Sequence, residues 1–477
     1  MKLNSYFVYA TGVLIFLLVF GCKDENQKQK ETLFTQMPAS VTHADFVNHL
    51  DYKKQLEKKF NIYTYRNFYN GSGVGLGDVN NDGLIDIFMT ANMSSNVLYL
   101  NKGNFEFEDI SEEAGIQGHG EWSTGVSMVD INGDGWLDIY ICNSGNDEVD
   151  DRENELYINN GDLSFTEKAN EYGLNDRGYS THAAFFDYDK DGDLDMYLLN
   201  NRSKAIGSFN LEDNQRNIRD SIGGDKLFRN DDGHFTDVSA EAGIYGSVIG
   251  FGLGVTVGDI NQDGWMDIFV SNDFFEHDYV YLNNQDGTFS EMMTDMMRCV
   301  STSSMGADMA DLNNDHYPEI FVTDMIPEHN ERLKTKTTFD DWDNYFTNFK
   351  NGYHHQFTRN MLHLNNADGT FSEIGRLAGV SATDWSWGAL IMDLDNAGLK
   401  DIFVANGIYQ DLTDQDYIQF FSNRDMVMKI VQGNNVDYKT LIDAIPSVKI
   451  PSYAFKNMGN FRFENRAGEW GLGEPSF

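Results

Sequence analysis

A nine-residue figure, Asp259-Ile-Asn-Gln-Asp-Gly-Trp-Met-Asp267, sets oxygen-bearing side chains at positions 1, 3, 5 and 9 and a glycine, Gly264, at position 6. It recurs at Asp78–Asp86, Asp130–Asp138, Asp187–Asp195, Asp311–Glu319 and Asp393–Asp401, making six copies. Units repeated at this scale cannot bury their apolar faces alone, so a chain built from them folds by stacking neighbours.

The segments around each copy identify the unit. Directly after position 9 come Ile87-Phe88-Met89, Ile139-Tyr140-Ile141, Met196-Tyr197-Leu198, Ile268-Phe269-Val270, Ile320-Phe321-Val322 and Ile402-Phe403-Val404, β-branched and aromatic triplets that favour strand. A second block follows, such as Leu98-Tyr-Leu-Asn-Lys-Gly103 leading to Phe107 and Val280-Tyr-Leu-Asn283 leading to Phe289. Asn and Gly between two apolar runs predict a hairpin. One unit therefore reads strand, acidic loop, strand, connection, strand, turn, strand. The predicted fold class is all-β, a β-propeller of four-stranded antiparallel blades with six repeats countable.

The strand entering each loop carries small residues at alternate positions. Five residues before the first Asp stand Gly73, Gly125, His182, Gly254, Gly306 and Gly388, which suits a crowded innermost strand. Three insertions lie after second strands, at about 201–225, 325–358 and 407–452, and the last reads as helical around Tyr417, Phe420 and Phe421. Strand alternation places them on the face opposite the acidic loops.

Alternate oxygens with a backbone carbonyl at position 7 wrap a hard cation, and carboxylates without His or Cys select calcium. Side-chain ligands are expected from Asp78, Asn80, Asp82 and Asp86, from Asp130, Asn132, Asp134 and Asp138, and from Asp187, Asp189, Asp191 and Asp195. The later loops offer Asp259, Asn261, Asp263 and Asp267, then Asp311, Asn313, Asp315 and Glu319, then Asp393, Asp395 and Asp401. Leu84, Trp136, Asp193, Trp265 and Tyr317 supply the position-7 carbonyls. An EF-hand would need a carboxylate at position 12, where this chain has Met89, Ile141, Leu198, Val270, Val322 and Val404. Loop five replaces the glycine by His316, and loop six loses a ligand at Ala397, so about four to six calcium ions are expected.

These motifs resemble the FG-GAP/VCBS-type propeller repeats of integrin α heads and of many bacterial surface proteins. Asn70-Gly-Ser-Gly-Val-Gly-Leu-Gly-Asp78, Arg359-Asn-Met-Leu-His-Leu-Asn365 and Thr383-Asp-Trp-Ser-Trp387 are similar to bacterial lipoproteins whose repeats precede an ASPIC/UnbV-type module. The resemblance implies a propeller, calcium and cell-surface binding, and no settled catalytic residues. A unit ending Ala467-Gly-Glu-Trp-Gly-Leu472 should lead into a further glycine-rich strand. Six blades and seven both stay open, the latter with this chain as the front part of a longer protein.

The N-terminus predicts an address. Lys2, an apolar run over Phe7–Phe20 and Gly21-Cys22 read as a lipoprotein signal over residues 1–22, with Cys22 the lipidated residue. The run is shorter than the roughly 20 residues that span a bilayer, so only the lipid would touch the membrane. Lys23-Asp24-Glu25 looks like a short tag for export to the outer surface, residues 23–44 a flexible tether, and 45–477 the propeller. The expected location is the outer membrane, exposed at the cell surface. Cys142 and Cys299, far apart, make no disulfide framework.

With 35 basic and 75 acidic residues, the formal charge of −40 excludes a phosphate-neutralising nucleic-acid binder. A glycan, peptide or envelope protein remains as partner. Trp122, Tyr179, Phe251 and Trp385 stand eight residues before a loop, with Trp387 beside the last, and form a candidate ligand ring at the mouth. They either stack on a ligand or pack beneath the insertions as plugs. The leading expectation is a calcium-binding surface adhesion or binding module. The alternative is a polysaccharide lyase or hydrolase, although His329, His354, His355, Asp384 and Arg359 form no spacing with assignable roles.

Overall fold

A computed structural model describes residues 32–57, 61–120, 122–145, 152–201, 211–337, 341–422, 431–432 and 435–477. The signal segment, Cys22 and the export tag lie outside these residues, as do Met426, Met428 and Ile430 of the third insertion.

Six four-stranded antiparallel sheets form the blades of a β-propeller. Their innermost strands are Val74–Gly77, Ser123–Val129, Ser180–Phe186, Gly252–Gly258, Ala307–Ala310 and Ser386–Met392. We number the blades 1 to 6 in that order. Each innermost strand turns through its acidic loop into the second strand, and position 9 pairs with the residue just before position 1. Gly77 thus faces Asp86, and Gly258 faces Asp267.

The alternating apolar residues of these strands interlock between blades. Val126, Ile139 and Ile141 of blade 2 pack on Phe88, Leu98 and Leu100 of blade 1. Ile391, Ile402 and Val404 of blade 6 pack on Phe321 and Leu362 of blade 5. Around the axis the approach is closest at the small residues. A side chain at Gly73 would lie 2.6 Å from the Thr124 carbonyl of the next blade, and one at Gly254 would lie 2.6 Å from that of Met305. Only glycine lets backbones meet this way.

Asparagines of the third strands add a second stitch. Asn159 Nδ2 donates to the Val79 carbonyl of the preceding blade at 2.8 Å, Asn283 to Tyr188 at 2.8 Å, Asn365 to Ile260 at 3.0 Å and Asn457 to Leu312 at 2.9 Å. Each bond satisfies a buried carbonyl that the sheet ladder leaves free.

The insertions carry helices at Asn330–Lys336, Trp342–Lys350, Gln415–Ser422 and Tyr438–Asp443. No helix among the described residues is long and apolar enough to cross a membrane. The free tether expected over 23–44 ends sooner than predicted. From Thr32 the chain is held, with Phe34 packed beside Trp470 and Leu472 and its N–H donating to the Trp470 carbonyl at 2.8 Å. An apolar side chain gains more from this burial than from remaining in solvent.

Candidate functional site

The acidic loops share one wrapped form. In loop four the N–H of Asp263 donates to Asp259 Oδ1 at 3.0 Å, that of Gly264 to Asp259 Oδ2 at 2.9 Å, and that of Trp265 to Asp263 Oδ1 at 2.9 Å. Loops one, two and five repeat these bonds. Position 6 lies in the left-handed region in every loop, which glycine tolerates. His316 alone adopts that backbone with a side chain, at φ 78°.

The position-9 acid is buried and holds three strands together. Asp267 accepts the Ile260 N–H at 2.9 Å on one oxygen and the third-strand Asn283 N–H at 2.9 Å on the other. Asp86, Asp138, Asp195 and Asp401 do the same in their blades. Burial pushes the Asp138 and Asp267 carboxyls up to about 6 and Asp195 up to about 7, against the pull of those N–H groups.

Loop three differs in a way that fits a cation. Carboxylate oxygens of Asp187, Asp189 and Asp195 converge within 4.8 Å of one another. Oδ1 of Asp187, Asp189 and Asp193 is buried without a hydrogen-bond partner. Burial, followed by repulsion from Asp191, pushes the Asp193 carboxyl up to about 6. Unpartnered buried carboxylates are costly, and a divalent ion removes the cost. Asp393, Asp395 and Asp401 of loop six also converge, but there the Lys456 ammonium donates to Asp395.

The predicted aromatic ring sits at the opposite mouth, mostly covered. Trp122 is 1 % exposed, and Tyr179, Phe251 and Trp385 are buried as well. Residues 61–69 lie over Trp122: Tyr65 meets it edge-on at 5.4 Å, Phe68 tilts against it at 5.0 Å, and the Tyr65 hydroxyl donates to Ser144 at 3.2 Å. Tyr417, Ile445 and Ile450 of the third insertion complete this cap. Trp387 is half-buried and borders a small cavity at the mouth with Gly125 and His182. Burial lowers the His182 pKa.

The predicted acid and base candidates do not gather. Asp384 is engaged by Arg332, whose Nη2 lies 2.8 Å away, and Arg359 pairs with Glu373 at 2.9 Å. His354 Nε2 lies 3.0 Å from the Met297 carbonyl, and His355 Nδ1 lies 2.6 Å from the Tyr345 hydroxyl. His329 directly precedes the Asn330–Lys336 helix and makes no side-chain hydrogen bond to it.

The second insertion holds a groove that the sequence reading did not single out. It has a volume of about 430 Å³ and is lined by Thr302, Asp341, Trp342, Asn344, Tyr345, Asn348, His354, Gln356, Phe357 and Thr358. Trp342 is 70 % exposed, and Tyr345 stacks on Phe357 with ring centres 5.7 Å apart. Trp342, Tyr345, Phe346 and Phe349 fall at the spacing of one helix face, the signal that could have located it.

Residues 78–141, 143–198, 217–270 and 259–322 each match the FG-GAP-like repeat family. A 76-residue stretch is 33 % identical to Cartilage acidic protein 1 of Xenopus tropicalis, covering 16 % of this chain and 12 % of that protein. Among solved structures, an Agrocybe aegerita lectin that recognises non-reducing terminal N-acetylglucosamine overlaps with a TM-score of 0.41 at 16 % identity, over 84 % of this chain and 83 % of that one. The V. cholerae biofilm matrix protein Bap1 overlaps at 0.32 and 14 % identity, over 62 % of this chain and 38 % of that one. The matched residues take in acidic loops one to five with their flanking strands, and the chain carries FG-GAP-like repeats within a six-bladed β-propeller.

Proposed function

We propose that this propeller is a calcium-held binding module displayed at the cell surface, and that it takes a glycan in the groove beside Trp342. The observation that carries the ligand reading is the exposed Trp342 indole over a groove lined by the polar Asp341, Asn344 and Asn348. Sugar rings present C–H faces that stack on aromatic planes and hydroxyls that pair with amides and carboxylates. A pocket of this size with a few convergent polar groups is the usual form of a small-ligand site.

Calcium is supported by the crowded, unpartnered oxygens of loop three. Asp187, Asp189 and Asp195, with the Asp193 carbonyl, would hold the ion. It would neutralise the loop and fix the hairpin between the first two strands of blade 3. The ion supplies stability on one face, and recognition belongs to the other. Surface display rests on the Gly21-Cys22 lipobox pattern and the tag after it.

The test is a glycan array probed with residues 23–477 and with the Trp342→Ala variant. A set of glycans bound by the parent and lost by the variant supports the reading. Equal binding by both would refute the groove. Labelling of the full chain with radioactive fatty acid, lost in Cys22→Ser, checks the anchor.

A further inference from the structure

The groove beside Trp342 has a charge pattern as well as an aromatic wall. Asp341, Asn344 and Asn348 recur at steps of three and four along the Trp342–Lys350 helix and its N-cap, so they form one polar line. Seven helical residues rise about 10 Å, longer than a single sugar ring. Trp342 and Tyr345, each one residue further on, run beside that line with ring centres 5.3 Å apart. The surface is thus a strip with one aromatic side and one polar side.

A helix N-terminus ordinarily attracts anions, because its first N–H groups are free and the peptide dipoles point positive there. Here the chain fills that place itself. One Asp341 oxygen accepts the Asp343 N–H at 2.9 Å, and the other accepts the Asn344 amide at 3.2 Å. Asp343 adds a second acidic side chain to the first turn. The two bonds fix the Asp341 carboxylate and still leave each oxygen a lone pair for a ligand.

The other titratable group of the lining, besides the Tyr345 phenol, is also an acceptor. His354 Nε2 lies 3.0 Å from the Met297 carbonyl, and a carbonyl can only accept, so Nε2 carries the proton. In the neutral ring, which burial favours by lowering the pKa, Nδ1 then accepts.

Positive charge near the groove is paired elsewhere. Among the described residues that line it, there is no lysine or arginine. Arg359 lies over the Phe357 ring at 5.0 Å, but its Nη2 is on Glu373 at 2.9 Å. Arg216, whose charge is felt at His354, is held by the buried Glu276, 3.1 Å from its Nη2. A uronate or sulfate in the groove would therefore face Asp341 with no free cation to balance it. Two like charges about 4 Å apart lower affinity about fivefold even at the dielectric of bulk water. A sugar hydroxyl, by contrast, donates to the same carboxylate in a charge-assisted bond.

Resting on the glycan reading above, we propose that the groove selects by charge, taking an uncharged stretch of polysaccharide and rejecting uronate-bearing or sulfated chains. Trp342 supplies the stacking surface, and Asp341 sets the selectivity.

The test reads a glycan array as matched pairs, each neutral oligosaccharide beside its uronate or sulfated counterpart. The full chain, Trp342→Ala and Asp341→Asn are compared. Asparagine still caps a helix, so the last variant removes the charge and keeps the local fold. The parent should bind the neutral member about fivefold tighter or more, with little response of that binding to added salt. In Asp341→Asn the ratio of neutral to anionic binding should fall about fivefold. A parent that favours the anionic members, or an unmoved ratio in Asp341→Asn, would overturn the selectivity. Provided that binding still depended on Trp342, the groove would stand as a glycan site. Binding that is absent, or indifferent to Trp342→Ala, would refute the groove itself and the selectivity with it.

Discussion

Lys456 donates its ammonium to Asp395 in the sixth acidic loop, seating a cation beside the one loop that has Ala397 in place of an oxygen ligand. In loop three, five residues of which are aspartate, Lys190 lies over the Trp265 ring at 4.3 Å, and Oδ1 of Asp187, Asp189 and Asp193 has no hydrogen-bond partner. A lysine neutralises the geometry of loop six, and the proposed calcium ion would neutralise that of loop three.

Exchanging these devices should move metal between loops. Ala397→Asp combined with Lys456→Leu is expected to add an equivalent of bound terbium in a luminescence titration, because it restores a ligand and removes the competing charge. Asp187→Asn with Asp189→Asn should remove one. An unaltered stoichiometry in both variants would show that loop carboxylates do not set metal content.

His316 holds a side chain at φ 78°, where its siblings have glycine. His316→Gly relieves that backbone while leaving the N–H that donates to Asp311 at 2.8 Å. Urea unfolding is expected to show a gain of about 1 kcal/mol. A loss of similar size would mean that the imidazole contributes contacts worth more than the strain.

Asp225 gives a pH dependence whose sign is fixed. It is buried, accepts the Tyr197 hydroxyl at 3.0 Å and the Asn200 N–H at 2.9 Å, and burial pushes its carboxyl up to about 7 from 3.8. The folded state therefore holds a proton that the unfolded chain releases. The associated stability is fully present below about pH 4 and is lost as pH rises through 7. Asp225→Asn should be more stable than the parent at pH 8, by about 2 kcal/mol, and no more stable at pH 4. Thermal melts at the two pH values check it, and an equal difference at both would contradict it.

Two tryptophans should respond oppositely. Trp122, wedged between Tyr65 and Phe68, should cost about 3–5 kcal/mol when cut to alanine. Trp342→Ala should stay within about 0.5 kcal/mol of the parent, since its indole is mostly in solvent. Chemical unfolding distinguishes them, and a large loss at Trp342 would make the groove a structural feature.

Blade architecture was legible because six copies of one figure each carry the same strand signals around Asp86, Asp138 and their counterparts, so errors at one copy are corrected by the rest. The face bearing the insertions followed from strand alternation. What sequence could not deliver was contact between distant segments. The Asn159 stitch to Val79 looks like turn chemistry when read alone, and the spacing of the ring aromatics gives no sign that Tyr65 and Phe68 cover Trp122. The Trp342 groove lies in an insertion with no repeat to compare it with. Residues 32–44 read as a polar tether because Phe34 has no periodic neighbours, and only the blade 6 surface explains its burial.

We propose that calcium bound by the acidic loops holds the blades. Calorimetric melting of residues 23–477 with excess calcium and after exhaustive chelation tests it most directly. Chelation is expected to lower the melting temperature by about 5–10 °C, reversed by calcium and not by magnesium, because an ion bound only by the folded state stabilises it. Superimposable melts, with no calcium retained by the purified protein, would contradict it.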